Sequence, residues 1–496
     1  MKRRAFFWGL TIIIIASLLL FGFWSHPLAD DYILSYHLKQ SGFWGLQKWI
    51  YNNNTGRYTS SFLGAAFAYK GFLYNYYFVP LIVLLCASLW SFYWISTCIS
   101  KITNCTSRKN VGVISIVAWL TYIIILPEKS TAFYWFSAAI TYTTGTILFI
   151  LYLSNWITLL SNNVHGIKRA LNQATTPILL FLIIGTNELM ALITMLGTIM
   201  LFAFLRPDLR SKHKITIVTT CLTGTTGLLL LFLSPGIHQR VNGDLFSNLI
   251  PAGLSTAIWL AVSVWYIMKL PIIWFILILL YFAGLNTKTG EYPSNLNILF
   301  PTLSQKRLIF ICLMIAIIPL FLVLTGSHGS FPMRMLNVEC LTIMGCLSIL
   351  TYYMGYKSQA KNHFAYLQNI VIKKYFWELI CIFVLISPLP YQIFQTFLSG
   401  YNYNLAFENQ NEALRSATSN TVVLPSDIKT SRKQIIKNNN SFIYGRAIFR
   451  EIGLQNPQLI YFEPIKQEKS FQYKMTFYDL DSVKFGEDWY VNTLKK

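Results

Sequence analysis

The chain has 496 residues, of which 54% are hydrophobic and only 12% charged, with a formal net charge of +21. A soluble protein carries about 25% charged residues, so these proportions exclude an ordinary soluble fold. The basic residues sit mainly in short loops between apolar runs, the positive-inside pattern of a membrane protein, so the charge reports orientation and calls for no nucleic-acid partner.

The apolar residues form long runs with no ladder of short alternating segments, which points to helices and away from a β-barrel. The first run, 5–24, follows Lys2, Arg3 and Arg4. It has no small-residue cleavage site and more apolar runs follow it, so it reads as a span rather than a signal peptide. Further spans are expected at 72–98, 111–126, 139–160, 214–233, 307–325, 334–355 and 375–396. Residues 174–205 are too long for one crossing and are interrupted by Gly185-Thr186-Asn187-Glu188, so they read as two. Lys269-Leu270-Pro271 divides 252–285, which is either one crossing plus a re-entrant piece or two thin crossings.

Charge sets the parity. With a cytoplasmic N-terminus, the loops carrying Lys101/Arg108/Lys109, Lys168/Arg169 and Arg206/Arg210/Lys212/Lys214 face inward. Keeping Lys306/Arg307 and Lys357/Lys361/Lys373/Lys374 inward as well requires an odd number of crossings in 252–285. The expected fold is an all-α polytopic membrane domain, residues 1–396, with about eleven transmembrane helices (range roughly ten to thirteen). Residues 397–496 then form a small extracytoplasmic α/β domain, with strand-like pieces at 421–424 and 474–478 and turns at Pro425 and Asn438-Asn439-Asn440.

On this topology the unusual polar residues gather outside, in the 25–71 loop, after Pro127, at 185–188, after Pro235 and around Arg334. Asp30-Asp31 directly follows the first span; the pair reads either as a solvated turn or as a catalytic acid beside the aromatic residues Phe43, Trp44, Trp49 and Tyr51. Arg57, Arg240 and Arg334 lie near outer helix ends, where a guanidinium either snorkels to lipid headgroups or pairs bidentately with phosphate. Glu188 and Glu128 are acids at or near membrane depth, functional by default, although Glu188 also suits a structural ion pair with an outer arginine. The eight cysteines form no CxxC pair and the seven histidines no HExxH motif, so thiol and structural-zinc chemistry have no starting point.

Ala29-Asp30-Asp31-Tyr32, Gly56-Arg57-Tyr58, Phe133-Tyr134-Trp135-Phe136 with Tyr142, Asn187-Glu188, Pro235-Gly236 with Arg240, and Arg334 occur in that order along the chain. In order and topology the sequence resembles the bacterial polytopic C-type (GT-C) glycosyltransferase superfamily, and within it a membrane family carrying an Ala-Asp-Asp-aromatic motif after the first span. The resemblance implies a GT-C-like fold in the bacterial cytoplasmic membrane, a polyprenyl-phosphate-linked sugar donor, and an acid in the first outer loop as catalytic base. That role maps to Asp31 or Asp30, with Asp31 slightly preferred. Arg57, Arg240, Arg334, Glu188, Glu128, His238, Tyr32 and Trp135 are the companion candidates for binding substrate and phosphate. Family members often carry Pro-Gly-Asn ahead of the arginine; here Ile237 takes the third position.

The expected function is transfer of a glycosyl group to a glycan, lipid or protein acceptor outside the membrane. The alternative is a transporter or flippase of a lipid-linked or polar envelope precursor, which Glu188 and the break in 252–285 also suit; a noncatalytic scaffold is a third reading. Carboxylates suit Mg2+ or Mn2+, but no ligand set is specified, so no metal or other cofactor is expected.

Overall fold

The computed structural model describes residues 2–27, 30–103, 108–160, 165–240, 248–288, 304–327, 334–358, 375–415, 421–424, 482–485 and 490–492. The chain opens with α1 (Lys2–Phe23), a kinked α2 (Asp30–Asn53), α3 (Tyr58–Ala68) and the one-turn α4 (Phe72–Asn75). The membrane body continues through α5 (Phe78–Thr103), α6 (Arg108–Ile125), a π-helical turn at Ser130–Tyr134, α7 (Phe136–Leu160), α8 (Gly166–Ile184) and α9 (Glu188–Phe204). After the short α10 (Pro207–Lys212) come α11 (Lys214–Phe232), the short α12 (Pro235–Arg240), α13 (Leu249–Met268) and α14 (Pro271–Lys288). The last helices are α15 (Gln305–Gly326), α16 (Met335–Lys357), α17 (Tyr375–Leu385) and α18 (Pro388–Arg415).

Among the described residues, seven helices are long and apolar enough to cross a bilayer: α1, α5, α7, α11, α13, α15 and α16. The pair α17 and α18, bent by 49° where Pro388 interrupts the hydrogen-bond ladder, makes an eighth if counted as one broken span. The remaining expected crossings are helical but do not reach that length and apolarity. Val111–Ile125, Glu188–Phe204 and Pro271–Leu285 are short apolar helices, and α8 begins with the polar stretch Lys168, Arg169, Asn172 and Gln173. The break at Lys269-Leu270-Pro271 separates α13 from α14, as the proline dictates.

The region read as a long outer loop, 25–71, is largely helical. Gly42, at φ 70°, lets α2 change direction between its two halves. The C-terminal helix α18 runs through the expected domain boundary at 396/397. It packs Phe397 and Tyr401 on Trp24, and Asn404 Oδ1 lies 2.8 Å from His26 Nε2, which ties the helix to the end of α1. The predicted strand at 421–424 is β1 (Thr421–Leu424), parallel to β2 (Ser482–Phe485), which pairs antiparallel with β3 (Tyr490–Asn492). The other strand-like piece, 474–478, and the turns at 425 and 438–440 lie outside the described residues.

Candidate functional site

Five separate segments meet at one end of the bundle: 30–60, 126–137, 185–188, 233–238 and 334–337. Close backbone approach makes this geometry sequence-specific. A Cβ on Gly56 would stand 2.2 Å from the Leu231 carbonyl oxygen, and one on Gly236 would stand 2.5 Å from the Asn54 nitrogen. Glycine at both positions therefore lets the α2–α3 link seat against the end of α11 and the start of α12. The start of α3 is tied to the α8–α9 turn: Thr59 and Ser60 N–H both donate to the Gly185 carbonyl, at 2.9 and 3.2 Å. These bonds satisfy donors that a helix start leaves unpaired.

The two aspartates have opposite surroundings. Consecutive residues on a helix point about 100° apart, and here Asp30 is exposed while Asp31 is 0% exposed. Asp31 Oδ1 accepts from Ser137 N–H at 3.0 Å and from the Ser137 hydroxyl; Oδ2 accepts from Tyr77 O–H at 2.8 Å. The Tyr77 oxygen in turn accepts from Phe136 N–H at 3.0 Å. Phe136 and Ser137 open α7, so Asp31 and Tyr77 together cap that helix from elsewhere in the chain, a placement its positive end favours. The sequence carries no sign of this cap, because the two donors lie far from Asp31 in the chain. Tyr32 is buried.

Arg57 and Glu188 form a bidentate ion pair. Arg57 Nη2 is 2.6 Å from Glu188 Oε2, and Nε is 2.9 and 3.0 Å from the two carboxylate oxygens. The side chains are only 16% and 15% exposed. Thr55 adds a longer hydrogen bond to the same carboxylate. Burial opposes the charge on Arg57, yet Glu188, then Tyr142 and Asp30, outweigh it and hold the guanidinium above its ordinary pKa. Asn187 caps α9, accepting from Met190 N–H at 2.8 Å, and Glu188 sits in the first helical turn, where a carboxylate is favoured.

Arg334 is the contrasting arginine. It lies just before α16, half-buried, with its guanidinium 5.2 Å from the Trp135 ring centre and 6.0 Å from that of Tyr142. Among the described residues it makes no ion pair, and its buried Nε has no hydrogen-bond partner; the Tyr142 hydroxyl is likewise buried without one. The aromatic faces stabilise the cation without consuming its donors. Glu128 stands close enough to feel Arg334, while its Oε2 accepts from the Thr131 hydroxyl at 3.1 Å. Asn337 fixes the Glu128 backbone on both sides, accepting from its N–H at 3.0 Å and donating to its carbonyl at 2.9 Å. Burial pushes the Glu128 carboxyl up to about 7, against the lowering pull of Thr131 and Arg334. Burial also brings the neighbouring Lys129 amine down to about 7; this side chain is 3% exposed and donates to the Leu126 carbonyl at 2.8 Å.

Arg334, Trp135, Tyr142, Glu128, Arg57, Glu188 and Asp30 thus form one connected cluster. His238 is exposed on α12 and outside these contacts; Arg240 ends the same helix, and its side chain lies outside the described residues. Sequence reasoning passed over Tyr77, Asn337 and Lys129, whose partners are distant or are backbone atoms. It also missed Glu339 in α16, which is 0% exposed with neither carboxylate oxygen hydrogen-bonded among the described residues. An acid inside an apolar span was a readable signal there. Among the described residues no three His, Cys, Asp or Glu side chains are grouped to hold a metal ion. Compared with protein families, curated proteins and solved structures, the chain gives no match to any of them. Its fold and composition identify a polytopic, mostly α-helical membrane protein with a polar, partly aromatic cluster built at one end of its helices.

Proposed function

We propose that the chain is a membrane glycosyltransferase that moves a sugar from a polyprenyl-phosphate-linked donor to an envelope glycan, lipid or protein. The observation that carries this reading is the pair of unlike arginines. Arg57 is neutralised by Glu188, whereas Arg334 lies on Trp135 with no ion pair and no partner for its buried Nε among the described residues, directly before the membrane-spanning α16. A cation held this way suits a lipid-borne phosphate, and the aromatic faces suit a sugar ring or an isoprenoid chain. The resemblance to C-type glycosyltransferases in the order of the motifs supports the same class.

In this reading Asp30 is the base, because it is the exposed carboxylate beside the cluster, and Asp31 is the cap at the start of α7. The acceptor hydroxyl gives its proton to Asp30 as its oxygen bonds to the anomeric carbon. The bond from that carbon to the phosphate oxygen breaks, and the electron pair leaves with the lipid phosphate. Arg334 stabilises the charge that grows there. One displacement of this kind inverts the anomeric centre. The Arg57–Glu188 pair holds the α2–α3 link against the α8–α9 turn. The cluster faces the extracytoplasmic side of a bacterial cytoplasmic membrane, with the N-terminus inside and residues 397–496 outside. No metal has a part in the reading.

The test is a panel of polyprenyl-phosphate sugars offered to the protein in nanodiscs, with product analysed by mass spectrometry. Transfer from at least one donor, lost in Arg334→Ala, is the expected result. Glu339, an acid within a span with no hydrogen-bond partner among the described residues, favours a second reading as a transporter or flippase of a lipid-linked precursor. Vectorial movement of such a precursor in sealed vesicles, abolished in Glu339→Gln and with no donor turned over, would replace the first reading with the second.

A further inference from the structure

Arg334 and Glu128 present a conflict for any anion that docks between them. The cation attracts it, and an ionised Glu128 repels it and already satisfies part of the field of Arg334. Asn337 fixes the Glu128 backbone from both sides, and the Thr131 hydroxyl donates to Oε2, which favours the carboxyl staying beside Arg334. Its Oε1 makes no hydrogen bond among the described residues. A protonated Glu128 removes the repulsion and turns that side of the carboxyl into a donor.

We propose that a lipid phosphodiester binds at Arg334 together with one proton, taken from solvent by Glu128, whose carboxylic acid then faces the phosphate. This rests on the phosphate reading of the cluster and adds its proton linkage. The proton ends on Glu128 and no bond of the ligand changes. The acid has the right poise for the exchange, since burial places its titration near neutrality. The charged group whose field reaches it is Arg334, just before α16. Tyr142 on α7 lies on the far side of Arg334 with the Arg57–Glu188 pair beyond it, Tyr266 on α13 reaches the nearby Leu126 carbonyl, and Lys129 is next to it in the chain. Lys129 also titrates near neutrality, so it is the competing source of any pH effect.

The probe is methyl farnesyl phosphate, a diester whose single charge is constant through the working pH range. Binding is followed by calorimetry on the full chain in nanodiscs, in two buffers of different ionisation enthalpy. A carboxyl titrating near 7 predicts uptake of about 0.9 proton per ligand at pH 8 and about 0.1 at pH 6, with affinity falling about tenfold per pH unit above 7. Glu128→Gln, an isostere of the neutral acid, should keep the low-pH affinity within about twofold from pH 6 to 9, while Lys129→Met keeps the pH dependence. Dimethyl phosphate, which lacks the chain, should bind at least about 100-fold more weakly. If the farnesyl probe fails to bind the wild type at every pH, the phosphate reading falls and this inference with it. If it binds without proton uptake, or if Lys129→Met removes the pH dependence and Glu128→Gln keeps it, the proton linkage falls alone. Equal binding of dimethyl phosphate overturns the lipid assignment. The proton count in the wild type needs no variant and stands even if Glu128→Gln folds poorly.

Discussion

Cutting the Arg57–Glu188 bridge should destabilise the protein from either side, and the structure gives the size. At 2.6 Å and an effective dielectric near 20, the gross attraction is about 6 kcal/mol. Desolvating both groups offsets much of this, so the intact pair contributes far less net stability. Removing one partner is different, because the other charge stays enclosed; buried pairs then lose about 3–5 kcal/mol, and residual exposure of about a sixth brings the expectation to about 2–4 kcal/mol. Arg57→Met and Glu188→Met should each lose that much in mixed-micelle unfolding followed by tryptophan fluorescence. The double variant should lose clearly less than the sum, with a coupling of at least about 1.5 kcal/mol. Additive losses, or an Arg57→Met variant as stable as wild type, would mean that Arg57 is free to act as a clamp and that the contrast with Arg334 is mistaken.

Asp31→Asn should lower the melting temperature with an effect of about 1–3 kcal/mol, since it removes the charged acceptor at the start of α7, and Tyr77→Phe should lose part of the same amount; variants that melt with the wild type would remove the cap assignment. Lys129→Met should be more stable than wild type at pH 7, and the difference should shrink as pH rises toward 10. The folded-state amine titrates near 7 and the unfolded one near 10.5, so the unfolded chain binds the extra proton in that window and wild-type stability climbs through it by about 1.4 kcal/mol per pH unit. Glu128 works in the opposite direction lower down. Its raised carboxyl makes stability fall as pH climbs from about 4.5 to 7, and Glu128→Gln should flatten that fall in thermal melts.

The membrane class was legible because long apolar runs with few charges permit little else, and the break at Pro271 was legible because proline cannot donate to a helix ladder. The site was half legible. Arg57, Glu188 and Arg334 stood out as charges against an apolar background, and a pairing of Glu188 with an outer-loop arginine was foreseen as one option. Pairing across 131 positions is set by the fold, as is the choice of Arg57 rather than Arg334 as partner. The separation of Asp30 from Asp31 was not legible at all, since it depends on which way a helix start is rotated and on Tyr77 and Ser137 arriving from other segments. Residues 25–71 read as a loop because their polar and aromatic residues follow no single period; the turn at Gly42 splits the helix and erases it.

The central claim is that Asp30, not Asp31, accepts the proton in sugar transfer, and a single-turnover assay with the donor found in the panel tests it directly. Asp30→Asn keeps the size of the side chain and removes the base, so transfer should slow by about two to four orders of magnitude while donor binding and the melting temperature stay at wild-type values. Wild-type transfer rates in Asp30→Asn would contradict the account.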